Sequence, residues 1–383
     1  MQYHNSPQNT TNNNQDNQNP SQEPPSNLPL PQQNDDFSAF DDVAMAEAYP
    51  TVIQIEDPPK KNEVSDLRGE ISESITIFDK KYKKISRFGE DKIPLKMVFL
   101  VSHTKTDELL VLKLFTRVEQ WGFKEEVEVS LKVDRSSLRQ VLIREFVGFD
   151  TKKEAVLLCG ELIEEYAYII LPYCEHGSII DLLVKANNLN RKISRNLVKY
   201  LFCNTLLALE ELLRLSGLSH CDIKPDNLVI DRNFLIKLID YGHARKSGVP
   251  TNQTTGTDRY MAPEIVYKCT YLPEKADIFN LGVFLYILMF QHVPFDSAHK
   301  NDCYYRYVFQ GRFQEFFTRE YITSQARIPL VELNVIWSSL NPQACQRPSI
   351  TDLMNSPFVR QLLSESMMIT DDLKKEILSI LYA

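Results

Sequence analysis

The chain has 383 residues, 43% of them hydrophobic and 25% charged, with a net charge of −8. These are ordinary values for a globular protein, and the length exceeds what one small core needs, so two lobes or domains plus extras are expected. The acidity is local: residues 1–78 carry 13 acidic side chains against 3 basic ones, and the remainder carries 38 against 40, which argues against a surface that coats nucleic acid.

Residues 1–35 are dominated by Asn, Gln, Pro and Ser. Such a stretch buries too little apolar area to offset its ordering entropy, so residues 1–75 are expected to form a disordered, acidic extension. Its PLP and PP steps could serve as extended ligands for a partner. A short helix is suggested around DDVAMAEAY. The opening MQYHNSPQNT has no basic n-region and no apolar h-region, so no secretory leader is expected there.

From about Tyr82 the texture changes. Residues 96–115 read as two strands, VFLVSH and LLVLKLF, joined by the polar turn TKTDE. KEEVEVSLKV at 124–133 has helix-forming composition and an acidic start. EAVLLC and AYIILPYCE read as further strands. From Ser178 the chain turns helical, with long periodic runs at 195–216 and 275–291. The apolar run IFNLGVFLYILMF at 278–290 is too short to span a bilayer and reads as a buried helix. At the end, Thr370 precedes acidic residues as a helix cap would, and Leu373, Ile377 and Leu381 share one face. The seven cysteines are scattered, with no CxxC pair. They read as reduced thiols, placing the protein in the cytosol or nucleus without a disulfide frame or zinc site. A monomer with no nucleic-acid or membrane partner is expected.

Chemistry concentrates in SHCDIKPDN, residues 219–227. Asp222 is followed by Lys224 and Asn227, and LVIDRNFLIKLIDYG then leads to Asp240. The intervening stretch reads as a hairpin turning at Asp231-Arg232-Asn233, which returns Asp240 beside Asn227. Two oxygen ligands so placed suit Mg²⁺, which takes few protein ligands and fills its shell with phosphate and water. Asp222 would orient an attacking hydroxyl or accept its proton, and Lys224 would offset charge on a transferred phosphoryl group.

With these residues in view, the chain resembles a eukaryotic protein kinase of the serine/threonine type over residues 82–360. The resemblance implies that Lys113 in VLK holds the α- and β-phosphates of ATP. A carboxylate on the following helix would pair with it: Glu126 fits best, with Glu125 and Glu128 as close rivals. Thirteen residues from Lys113 to Glu126 is a short span for the family, so the helix or its lead-in should be trimmed. Leu171 would be the gatekeeper, with Pro172, Tyr173 and Cys174 as the adenine-binding hinge. Asp240-Tyr241-Gly242 resembles the metal-binding DFG, with Tyr for Phe, and GTDRYMAPE resembles the end of the activation segment. Thr257 would bond to Asp222 and Lys224, Asp277 would anchor the catalytic loop from below, and Arg347 would pair with Glu264. Lys224, two residues after the catalytic aspartate, is the serine/threonine pattern, and Asp226 hints at basic substrates.

Two departures stand out. Val98 fits the end of the phosphate-covering loop, but the three glycine positions fall on Asp91, Ile93 and Lys96, leaving only Gly89 as a first glycine. Fewer glycines mean poorer backbone approach to phosphate, so weaker ATP affinity or slower turnover is expected. Cys221 stands where the family has an arginine that pairs with a phosphorylated activation-segment residue. Activity is therefore expected not to depend strictly on phosphorylation at Thr254 or Thr255.

The expected architecture is α+β and two-lobed: a small β-rich N-lobe at 82–171, a larger α-helical C-lobe at 174–360, and a helical tail at 361–383. The expected function is a serine/threonine protein kinase using ATP and Mg²⁺ on protein substrates. Asp222 would be the base, Lys224 the phosphate clamp, Asn227 and Asp240 the metal ligands, and Gly89, Val98, Lys113, Leu171, Tyr173 and Cys174 the nucleotide contacts. The alternative is a pseudokinase scaffold that binds nucleotide weakly and transfers little phosphate.

Overall fold

The computed structural model describes residues 76–77, 81–88, 97–133, 137, 139–149, 156–158, 161–324, 329–364 and 369–383, all within the compact unit Val52–Ala383. The N-terminal extension, the helix suggested near DDVAMAEAY, and Gly89, Asp91, Ile93 and Lys96 lie outside the described residues.

The first part is an antiparallel sheet. Its strands are β1 (Thr76–Ile77), β2 (Tyr82–Phe88), β3 (Met97–His103), β4 (Leu109–Thr116), β5 (Glu145–Val147) and β8 (Tyr166–Pro172), in the order β1-β2-β3-β4-β8-β5. A separate pair, β6 (Val156–Leu158) and β7 (Glu161–Ile163), sits between β5 and β8 in the chain. Strand alternation sorts the side chains onto two faces. Leu110, Leu112 and Leu114 join Phe99, Val101 and Tyr168 in one apolar cluster. Phe115 joins Ala167, Ile169 and Phe123 in another, on the side of helix α1 (Gln120–Lys132). Lys113 has the parity of Phe115, so its side chain emerges on the helix-covered face.

The short span from Lys113 to Glu126 has a structural cause. A single 3-10 turn, Arg117–Glu119, joins β4 to α1, and the Glu119 carboxylate accepts the Thr116 N–H at 3.1 Å. The helix starts four residues earlier than its composition suggests, at Gln120, so the lead-in rather than the helix is trimmed.

The second part is helical, as its periodicity predicts. Helices α2 (Ile179–Asn188) and α3 (Arg195–Ser216) are capped by Ser178 and Ser194, and α3 ends on Gly217 at φ 69°. After β9 (Leu218–Ser219), the hairpin β10 (Leu228–Ile230) and β11 (Ile236–Leu238) and the short β12 (Arg245–Lys246) come α4 (Pro263–Val266) and α5 (Pro273–Phe290). Helix α5 is buried nearly all round. Helices α6 (Tyr305–Phe309), α7 (Phe313–Ser324), α8 (Leu330–Ser339), α9 (Ile350–Met354) and α10 (Pro357–Ser364) complete the core. Among the described residues no helix is long and apolar enough to cross a membrane.

The tail helix α11 (Asp371–Leu381) starts at the predicted cap: Thr370 accepts from the Leu373 N–H at 3.3 Å. It buries Ile377, Ile380 and Leu381, with Leu373 partly buried beside them. The Glu376 carboxylate accepts from the N–H and hydroxyl of Ser194, each at 2.6 Å, and Lys185 donates to the Leu381 carbonyl at 2.7 Å. Tyr382 then meets His176, just past the hinge, at 3.2 Å.

Where α5 crosses α8 the helices touch through Gly282, whose added Cβ would sit 2.8 Å from the Ser339 Cβ. Gly282→Ala is expected to destabilise by ~1–3 kcal/mol through overpacking, read as a lowered urea midpoint at unchanged slope.

Candidate active site

A cleft of about 620 Å³ opens between the sheet and the helical part, within the size range of small-ligand sites. Val98, Val111 and Leu171 supply apolar walls, and Tyr173 and Cys174 line the crossing to α2. Lys113, Glu126, Asn227 and Asp240 supply polar groups at the inner end.

Lys113 and Glu126 are both buried, at 8% and 3% exposure, and form an ion pair. This settles the choice among the three glutamates: Glu128 instead pairs with Lys132 on the exposed side at 2.6 Å, and Glu125 lies only part-buried. The Lys113 ammonium also reaches Asp240 Oδ1 at 3.0 Å. Burial opposes the ammonium, but Asp240 and Glu126 together outweigh it and hold Lys113 above the ordinary lysine range. Burial raises Glu126 against the pull of Lys113. Two carboxylates face one cation, so the proton stays with the lysine.

The loop carboxylate is held on every side. Asn227 Nδ2 donates to Asp222 Oδ2 at 3.0 Å and to the Asp222 carbonyl at 2.8 Å. The Thr257 hydroxyl donates to Oδ1 at 2.8 Å. Lys224 lies 2.9 Å from Oδ2 and donates to the Thr257 hydroxyl at 2.5 Å. Burial alone would raise Asp222, but Lys224, with His220 and Thr257, holds it below the ordinary aspartate value. Gly256, directly before Thr257, has φ 94°, and a Cβ there would come 2.8 Å from the Cys221 carbonyl. Only glycine fits so close a crossing of backbones.

The loop rests on Asp277 as predicted. Its carboxylate accepts the N–H of His220 at 2.8 Å and that of Cys221 at 2.6 Å, while burial pushes it up to about 7. Cys221 adopts φ 63°, a left-handed conformation that a non-glycine residue keeps only when its surroundings fix it. Arg347, fully buried, makes two 2.7 Å bonds to Glu264, also as predicted.

The β10–β11 hairpin brings Asn227 and Asp240 to the same cleft. Its turn is longer than expected, running to Leu235, because Asp231 Oδ1 accepts the N–H of both Asn233 and Leu235 at 2.9 Å. Among the described residues no cluster of three or more His, Cys, Asp or Glu could hold a metal. One carboxylate and one amide oxygen instead fit a Mg²⁺ that completes its shell with phosphate and water.

Three contacts have no counterpart in the sequence motifs. The Tyr241 hydroxyl lies 2.9 Å from Gln140 Oε1 and 2.8 Å from the Leu238 carbonyl, which accounts for Tyr in place of Phe. Thr255 Oγ1 lies 2.8 Å from His243 Nδ1, with Thr255 only 2% exposed. The hydroxyl is thus buried and bonded, whereas Thr254 beside it is exposed. Arg245 stacks on Trp121 of α1.

A strand lysine tied to a helix carboxylate, across a hinged cleft from a cradled aspartate, is the arrangement of the two-lobed protein-kinase-like fold. The family model described as protein kinase domain matches residues 96–359, well over half the chain, and the chain belongs to that family. It is 27% identical over 268 residues to sperm motility kinase 2B of Mus musculus, covering 69% of this chain and 49% of that protein. It is 25% identical over 221 residues to maternal embryonic leucine zipper kinase of Xenopus laevis, covering 57% and 31%. Serine/threonine-protein kinase cds1 of Schizosaccharomyces pombe is 30% identical over 158 residues, covering 39% and 33%. The chain thus spans half or less of these relatives.

A carboxylate held below its unfolded pKa stabilises the fold above about pH 4, the ordinary aspartate value, and loses that contribution as pH falls through the folded value. Lys224→Met removes the cation and leaves Asp222 buried. In urea unfolding the variant should lose roughly 3 kcal/mol at pH 7, and the gap to wild type should shrink as the pH approaches 3.

Proposed function

We propose that the chain is a serine/threonine protein kinase that transfers the γ-phosphoryl group of ATP to protein hydroxyls. The observation that carries this reading is the state of Asp222: buried, ionised, and aimed by Asn227, Thr257 and Lys224. Such a carboxylate accepts a hydrogen bond from a serine or threonine hydroxyl and points its oxygen at phosphorus. As the new O–P bond forms, the bond from the γ-phosphorus to the ADP oxygen breaks, and the hydroxyl proton passes to Asp222. Lys224, already beside that carboxylate, offsets charge on the moving phosphoryl group.

Lys113 is assigned to the α- and β-phosphates, with Glu126 fixing its position. Val98, Leu171, Tyr173 and Cys174 are assigned to the adenine end, and Gly89 to the turn that covers the phosphates. Asn227 and Asp240 would hold Mg²⁺, which neutralises charge on the phosphates when bound. The formed Lys113–Glu126 pair favours catalysis over a scaffold role. Protein substrates with basic residues would suit Asp226, which is exposed at the cleft mouth. The extension over residues 1–75 is left as a partner-binding segment.

Transfer of labelled γ-phosphate to a peptide library tests the reading, wild type beside Asp222→Asn. Strong labelling of serine and threonine peptides by wild type alone is expected, with the variant down by at least ~10³-fold, the scale of removing a catalytic base together with its charge. Equal background in both would leave the scaffold reading in place. A second outcome concerns control. Thr254→Ala, at an exposed position, should keep turnover within about threefold of wild type. Thr255→Val should lower it by ~5–10-fold, the loss of one buried hydrogen bond, in protein shown by mass spectrometry to carry no phosphate.

A further inference from the structure

Helix α1 carries Glu126, so its placement decides whether Lys113 is held. Its covalent lead-in fixes one end through the single turn from β4. A second attachment comes from the activation segment. Strand β12 pairs with β9, setting Arg245 opposite Ser219 directly before the catalytic loop. From there the Arg245 side chain crosses to α1 and lies over the Trp121 ring, with Cζ 4.3 Å from its centroid. Nη1 turns back to the Ala244 carbonyl at 2.7 Å, and Nε is buried with no hydrogen-bond partner.

A buried guanidinium donor without an acceptor is unfavourable. What offsets it here is the ring face, since a planar, weakly hydrated guanidinium stacks well on an indole. Glu125, one turn along α1, adds attraction: burial raises its carboxyl, and Arg245 is the largest influence pulling it back. Cys221 is buried at 1% exposure, and burial and then Asp277 push its thiol well up, so it stays neutral and offers Arg245 no counter-charge.

We infer that Trp121 and Arg245 form a clasp that positions α1, and Glu126 with it, against the catalytic loop. The clasp does without phosphate what a phosphate–arginine pair would otherwise do. This rests on the kinase reading above, and both members are positioning residues. The chain from loop to lysine is continuous: Cys221 and His220, β9, β12, Arg245, Trp121, α1, Glu126, Lys113. Removing either half of the clasp should free α1 to rotate and lower the fraction of molecules with the ion pair formed. Chemistry should suffer more than peptide binding, because the peptide does not touch the clasp.

The test uses the full chain with Trp121→Phe, Trp121→Ala, Arg245→Lys, Arg245→Ala and the double alanine variant, all treated with phosphatase. Each alanine variant should lose ~3–30-fold in kcat, the range of a partly desolvated cation–π contact, with KM for peptide unchanged. The double variant should lose no more than the larger single loss, while Phe and Lys restore most of it. Trp121 and Trp337 are the chain's two tryptophans, so subtracting the Trp121→Phe emission isolates Trp121. Acrylamide quenching of that component should at least double in Arg245→Ala. Losses that multiply in the double variant, or unchanged quenching, would overturn the clasp. So would a phosphatase-treated wild type that has lost its activity. If wild type transfers no phosphate, the kinase reading fails. Quenching and Mg-ATP affinity by calorimetry then still decide the clasp, which predicts weaker nucleotide binding in both alanine variants.

Discussion

Everything in the cleft depends on one buried cation. Lys113 sits in a strand whose neighbours are apolar, and its charge is tolerable there only because carboxylates from two other elements converge on it. Glu126 comes from α1 and Asp240 from the end of the β10–β11 hairpin. The sheet, the helix and the hairpin are therefore fixed to one another by an electrostatic demand rather than by shape alone. Asp240 takes part although it stands at φ 65°, a strained position for an aspartate. The lysine and the neighbouring packing hold it there.

A second buried charge plays the corresponding part beneath the catalytic loop. Asp277 is anchored in α5, the most deeply buried helix, and its two oxygens take the N–H groups of consecutive residues. The carboxylate thereby fixes the backbone entering the loop, and Cys221 directly after it stands at φ 63°. His220 completes the brace. Its Nε2 donates to the Ile239 carbonyl at 3.0 Å, next to Asp240, so its Nδ1 is left to accept the Asp222 N–H at 3.3 Å. One imidazole thus ties the backbone at Asp222 to the backbone immediately before Asp240.

Part of this arrangement is legible in the sequence. The cap at Thr370 follows from local pattern, and the pairings of Arg347 with Glu264 and Thr257 with Asp222 follow from the resemblance carried by the ordered motifs. Glu126 was one of three candidates because helix periodicity alone does not say which face meets the lysine; the single-turn lead-in decides it. Thr255 reads as an exposed hydroxyl in a polar segment, and only its meeting with His243, twelve residues earlier, buries it. Gln140 and Trp121 belong to no motif. Their roles arise from packing between elements far apart in the chain, which leaves no trace in spacing. Tyr241 was the one signal available: a hydroxyl in place of a phenyl ring calls for a partner, and Gln140 is that partner.

The hinge cysteine bears on how the cleft would meet a reactive ligand. Cys174 lines the cleft, and burial pushes its thiol up to about 12. At neutral pH the neutral thiol therefore dominates over the thiolate, the species that attacks electrophiles. An electrophile placed in the cleft would meet a neutral thiol there and react slowly. The solvent-exposed Cys269, Cys303 and Cys345 would compete for the same reagent. Occupancy of the cleft by such a compound would therefore be governed by its reversible contacts with Leu171 and Tyr173, with bond formation contributing selectivity only if the ligand brought its own base.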